Sequence, residues 1–87
     1  MAREIPATGD LYRHFKGQIY LVWTLATHSE TGEKLVIYKV LGADPKQDPC
    51  ARPLEMFLSP VDREKYPNAP QEWRFEKIVY PPENGGL

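Results

Sequence analysis

The side chains able to do chemistry in this sequence are few and widely spaced. Tyr12, His14 and Lys16 alternate near the start, His28 and Glu30 flank Ser29 ahead of Thr31, and Arg52 stands directly before Pro53. Aromatic and basic residues at loop ends can read an extended peptide or stack bases. An arginine can grip a carboxylate or phosphate with two parallel hydrogen bonds. These six residues are the candidate binding patch, provided the first turn and the proline-rich loop lie at the same end of the fold. Each also has a purely architectural reading. Serine, glutamate and threonine at a turn can satisfy their own backbone, and Arg52 can pair with Glu30 or Glu55.

Catalytic and metal chemistry find little footing. His14, His28, Glu30 and Cys50 are the only conceivable ligand set, and they lack the spacing of a zinc site. Cys50 lies among prolines with only Arg52 to lower its pKa, so a Cys50–His28 nucleophilic pair is not expected. The glycines fall one per turn, apart from a pair in the tail, which leaves no phosphate-cradling loop. The expectation is a protein that is not an enzyme, without a metal or cofactor.

The elements that must carry these residues are mostly strands. Leu11 to Phe15 reads as a short strand, ended by a tight turn at Lys16-Gly17-Gln18. From Ile19 to His28 one face carries Ile19, Leu21, Trp23 and Leu25, and the other Tyr20, Val22, Thr24 and Ala26. Both faces are mainly apolar, which suits a strand in a small curved barrel whose outer face is partly shielded. A turn at 28–33 with Gly32 leads to a third strand from Lys34 to Leu41, rich in β-branched and aromatic residues. Ile19 to Leu41 is therefore one long hairpin. Ala43 to Pro53 reads as a loop, because its prolines deny a ladder its donors. Pro53 to Leu58 suits a brief helical turn, and Ser59-Pro60-Val61-Asp62 has the form of a helix start. Trp73 to Tyr80 reads as the closing strand.

The whole chain has 87 residues, 41% of them hydrophobic and 26% charged, with nine prolines. That is one small domain, expected to bury about 60 to 65% of its unfolded surface. The ordered part is expected over about 9–80, with flexible tails at 1–8 and 81–87. The formal charge of −1 attracts no polyanion at long range. One cysteine allows no internal disulfide, and no stretch resembles a signal peptide or membrane span. A cytoplasmic setting without membrane contact is the resulting expectation.

Read in order, several segments resemble a known family. They are Tyr12-Arg13-His14-Phe15-Lys16-Gly17 with Tyr20, His28-Ser29-Glu30-Thr31, Val36 with Tyr38, Arg52-Pro53-Leu54-Glu55-Met56-Phe57, and Arg74-Phe75 before Ile78. Together they resemble the small bacterial domain-of-unknown-function family sixteen-fifty-three over roughly Gly9 to Ile78. The resemblance implies a mainly β fold: a small SH3-like barrel of about five antiparallel strands with one or two short helical turns. It implies no activity. The sequence departs from the family pattern in the Asp-Pro-Cys-Ala stretch before Arg52 and in a long, proline-rich segment from Val61 to Glu72.

The functional expectation is a noncatalytic binding or adaptor module that recognises a protein segment. The alternative is a nucleic-acid-binding accessory domain using a local basic and aromatic patch. Continuous positive charge around the patch would favour nucleic acid, and an apolar cleft with few charges would favour a peptide.

Overall fold

The β-branched and aromatic run in the middle of the chain forms the longest strand pair. In the computed structural model, which describes residues 3–79, β2 (Ile19–Thr27) and β3 (Lys34–Val40) are antiparallel. Thr27 faces Lys34 and Tyr20 faces Val40, as the hairpin reading requires. The turn between them closes when His28 N–H donates to the Glu33 carbonyl at 2.8 Å. Gly32 there has φ +77°, a conformation glycine adopts at little steric cost. β1 (Leu11–His14) pairs with the first half of β2 through the expected tight turn.

Two further strands complete one antiparallel sheet in the order β4-β3-β2-β1-β5. β4 (Cys50–Pro53) lies on β3, with Arg52 opposite Val36, so the end of the expected 43–53 loop is a strand. Proline is tolerated because β4 is an edge, where an N–H can be lacking on the open side. β5 (Phe75–Lys77) lies on β1 at the other edge. The closing strand is thus shorter than expected: Trp73 makes only an isolated bridge with Pro60, and Tyr80 and the tail at 81–87 lie outside the described residues. The expected barrel takes the form of a rolled sheet. Its two edges approach each other through side chains, with no ladder joining β4 to β5 among the described residues.

The core fills the inside of this roll. Tyr12, Val22, Val36, Tyr38, Phe57 and Phe75 form one buried cluster, with Tyr20, Leu25, Leu54 and Leu58 packed against it. Phe57 comes from α1 (Leu54–Phe57), the brief helical turn expected after Pro53. Its ring stacks on Phe75 with centroids 4.2 Å apart and planes 6° apart. Tyr12 meets Phe57 edge to face at 5.0 Å. Burial of these rings is the main stabilising term available to so small a domain.

The strict alternation read along β2 fails at one residue. Val22 pairs with Tyr38 and Thr24 with Ile37, leaving Trp23 as the extra residue of a bulge. The bulge shifts the phase by one, so the core face is Tyr20, Val22 and Leu25, and Thr24 and Ala26 do not continue it. Trp23 itself is 44% exposed, with the Lys39 ammonium 5.6 Å from its ring centroid.

The segment from Ser59 to Tyr66 is not a helix. The Ser59 hydroxyl donates backward to the Met56 carbonyl at 2.6 Å, finishing α1 instead of starting a new helix. Asp62 Oδ1 accepts from the Glu64 and Lys65 N–H groups, which holds a turn without propagating it. At the start of the chain, where a loose tail is expected, Pro6 is fully buried. Arg3 donates to the carbonyls of Leu58 at 3.0 Å and Phe75 at 2.7 Å.

Candidate functional site

The six residues of the expected patch do not share one surface. Tyr12 is 2% exposed and belongs to the core. Burial, with Asp10 adding to it, pushes its phenol up to about 12. His28 and Glu30 lie at the far end of β2 from the His14 turn, a separation of roughly 30 Å at about 3.3 Å per strand residue. There His28 Nδ1 accepts from the Glu30 N–H at 3.1 Å and the Thr31 N–H at 3.3 Å, so this imidazole builds the turn. Arg52 is anchored on the core, where its Nε donates to Tyr38 Oη at 2.9 Å and its guanidinium lies over Phe75.

His14 and Lys16 do share a site. The turn after β1 carries His14, Phe15 and Lys16, and a long connection from Leu58 to Arg74 folds across it. Between them lies a cavity of about 180 Å³ lined by His14, Phe15, Lys16, Asp62, Lys65, Tyr66 and Arg74. An open trough of about 360 Å³ shares Phe15, Lys16, Lys65 and Tyr66 and runs on past Pro67 to Ala69. The connection is held by side chains bonding to backbone. Arg63 donates to the carbonyls of Ala69 and Gln71. Gln71 Nε2 donates to Arg13 and Trp73 carbonyls at 3.0 and 2.9 Å. These bonds place Tyr66 against Phe15, ring centroids 4.8 Å apart.

His14, Arg74 and Lys16 have defined contacts in the cavity. The Lys16 N–H donates to His14 Nδ1 at 3.1 Å, so Nδ1 is unprotonated and the neutral imidazole carries its proton on Nε2. Burial, and then Arg52, Arg74 and Lys16, hold the His14 pKa below its usual value, which favours that neutral form. Arg74 Nε donates to Ser59 Oγ at 3.2 Å. The Lys16 ammonium stands 5.2 Å from the Tyr66 centroid and 5.9 Å from that of Phe15, a cation–π arrangement. Among the described residues the ion pairs join Lys77 to Glu4 and Asp10, so Lys16, Lys65 and Arg74 have no carboxylate partner.

The comparisons with known proteins agree with this fold. The family described as "Protein of unknown function (DUF1653)" matches residues 10–77. The chain belongs to this family. A crystal structure of a DUF1653 protein from Bordetella bronchiseptica is similar to it at 34% sequence identity and a TM-score of 0.63. The match covers 82% of this chain and 88% of that one. The comparison with curated proteins finds no match. The name DUF1653 carries no activity, so the site must be read from its own chemistry. Among the described residues no three of His, Cys, Asp and Glu gather as metal ligands, and no helix is long and apolar enough to cross a membrane.

Phe15, Asp62, Lys65, Tyr66 and Arg74 are the members of this DUF1653 site that the sequence reading does not select. Their one sequence signal is Arg63 and Gln71, two multiple donors bracketing a proline-rich stretch that has carbonyls to satisfy.

Proposed function

We propose that this DUF1653 chain is a noncatalytic binding module that takes up a short acidic protein segment in the groove between the β1 turn and the 58–74 connection. The observation that carries this reading is the joining of two different spaces along one wall: a cationic cavity opens into a trough that runs from Phe15 and Tyr66 along Pro67 to Ala69. An extended segment can lay an acidic side chain in the first and an apolar one in the second, the usual division of labour in a ligand site. The noncatalytic reading is supported by His14, whose one basic nitrogen, Nδ1, already accepts from the Lys16 N–H, whereas general base work by an imidazole needs that lone pair free within reach of substrate.

The interleaving of Lys16, Lys65 and Arg74 with two aromatic rings favours the second reading, a nucleic-acid accessory domain. Weighing against it, Phe15 and Tyr66 pack on each other with planes 59° apart and Lys16 lies over both, leaving little open ring for a base to stack on. The test is selection from a display library of random peptides, followed by titration of a selected peptide and of short single-stranded DNA. An acidic consensus whose binding is lost in Lys16→Glu and Lys65→Glu supports the segment reading. Tighter binding of DNA at the same residues moves the assignment to nucleic acid, and binding of neither at the groove overturns both.

A further inference from the structure

We infer that the cavity beside the β1 turn is a site for a dianionic phosphoryl group, which in the segment reading is carried by a phosphorylated side chain. The inference rests on that reading only for what carries the group. The site itself follows from charge and donor geometry.

Charge comes first. Lys16, Lys65 and Arg74 line the cavity as cations, and Asp62 is the acid among them. Three positive charges against one negative leave an excess of two, with no carboxylate in ion-pair contact with any of the three among the described residues. A phosphate monoester carries about −1.5 to −2 at neutral pH, whereas a carboxylate carries only one charge. The dianion is therefore the better match.

Donors come second. With its Nε committed to Ser59 Oγ, Arg74 keeps its two terminal NH₂ groups without a partner among the described residues. They form the fork that takes two phosphate oxygens together. Lys16 adds an ammonium positioned over Phe15 and Tyr66. His14 adds a neutral donor, because the Lys16 N–H on Nδ1 fixes the proton on Nε2. Lys16, Arg74 and His14 thus all offer donors, as an acceptor-only phosphoryl demands, and Asp62 is the one carboxylate in the lining. A volume of about 180 Å³ far exceeds the roughly 15 Å³ one water needs on a comparable measure, so a phosphorus with its oxygens has room.

The experiment is an NMR titration of the full chain with inorganic phosphate at constant ionic strength. It is followed by titrations with a short phosphoserine peptide and with the same peptide carrying glutamate or serine there. Saturable shifts centred on His14, Lys16, Lys65 and Arg74 are expected. Affinity should fall about tenfold in Lys65→Ala and in Arg74→Lys, the scale of one charge-assisted hydrogen bond. Arg13→Ala, an exposed cation outside the cavity, should bind unchanged, and unaltered amide spectra in the variants show that they remain folded. Shifts that do not saturate, or that spread over the surface lysines, overturn the site. If the glutamate peptide binds as tightly as the phosphoserine peptide, the phosphoryl inference fails while the segment reading survives. If phosphate binds at the cavity and no peptide does, the site stands and the segment reading fails.

Discussion

The guanidinium of Arg52 stands 5.7 Å from the centroid of Phe75, although β4 and β5 are opposite edges of the sheet. One side chain thus spans the gap that backbone pairing leaves open. The same group donates to Tyr38 Oη, tying β4 to the strand beside it.

Arg52→Ala should therefore cost stability. A hydrogen bond from a charged donor and a cation–π contact together suggest about 2 kcal/mol, or roughly 10 °C in Tm for a domain of this size. Arg52→Lys should recover less than half, since it keeps the charge without the Nε–H or the planar face. Urea denaturation of the three proteins checks this, and an unchanged midpoint for the alanine variant refutes it.

Deletions within β2 should separate the bulge from the ladder. Removing Trp23 leaves Tyr20, Val22 and Leu25 all facing the core and should cost about 1 to 2 kcal/mol, as lost partial burial and twist. Removing Leu21 reverses the phase ahead of Val22, sends Tyr20 outward and should unfold a domain of such small stability. Circular dichroism melts of the two deletions decide the matter: equal damage contradicts the bulge assignment.

His14 should make stability fall in mild acid. Its pKa is lowered in the folded state, so between the folded value and the usual 6.5 the unfolded chain binds more protons. The stabilisation is complete above about pH 6.5 and is lost as the pH falls from there toward the folded pKa. His14→Asn keeps an acceptor for the Lys16 N–H without a titrating group, and should flatten the stability profile between about pH 7.5 and 5.5. A variant whose profile still follows the wild type would assign the dependence elsewhere.

Tyr12 should govern the alkaline side. Its phenol is raised from 10.0 to about 12, so the unfolded chain ionises first. Stability is full below pH 10 and declines as the pH rises from 10 toward about 12. In an ultraviolet tyrosinate titration of the five tyrosines, burial should delay both Tyr12 and Tyr20, and the latest component, at about 12, should disappear in Tyr12→Phe. Its persistence there would point to another ring.

The hairpin from Ile19 to Leu41 is legible in the sequence because β-branched and aromatic residues flank a turn whose glycine needs a positive φ. The helical turn at Leu54–Phe57 is legible from proline at its start. β4 is hidden because Pro53 counts against a strand unless its edge position is known. The bulge at Trp23 is hidden because a fully apolar strand has no polar residue to reveal a change of phase. The candidate site was half visible. His14 and Lys16 stand out as chemistry, yet Arg52 and His28 do so equally and are anchored on the core and in a turn. Lys65 and Tyr66 lie on a connection held by the side-chain bonds of Arg63 and Gln71 to carbonyls, which leave no periodic trace, and Arg74 is placed by backbone bonds to Ser59 and Phe15.

The pairing of β5 with β1 sets Tyr12 opposite Lys77, joining the two ends of the folded chain. The β2–β3 hairpin closes over a short turn and can form early, whereas this outer pairing must close nearly the whole chain as a loop. The 58–74 connection is delivered onto the β1 turn by that same closure. The groove is therefore complete only once β5 has docked on β1, so its two walls depend on the pairing that spans the most sequence.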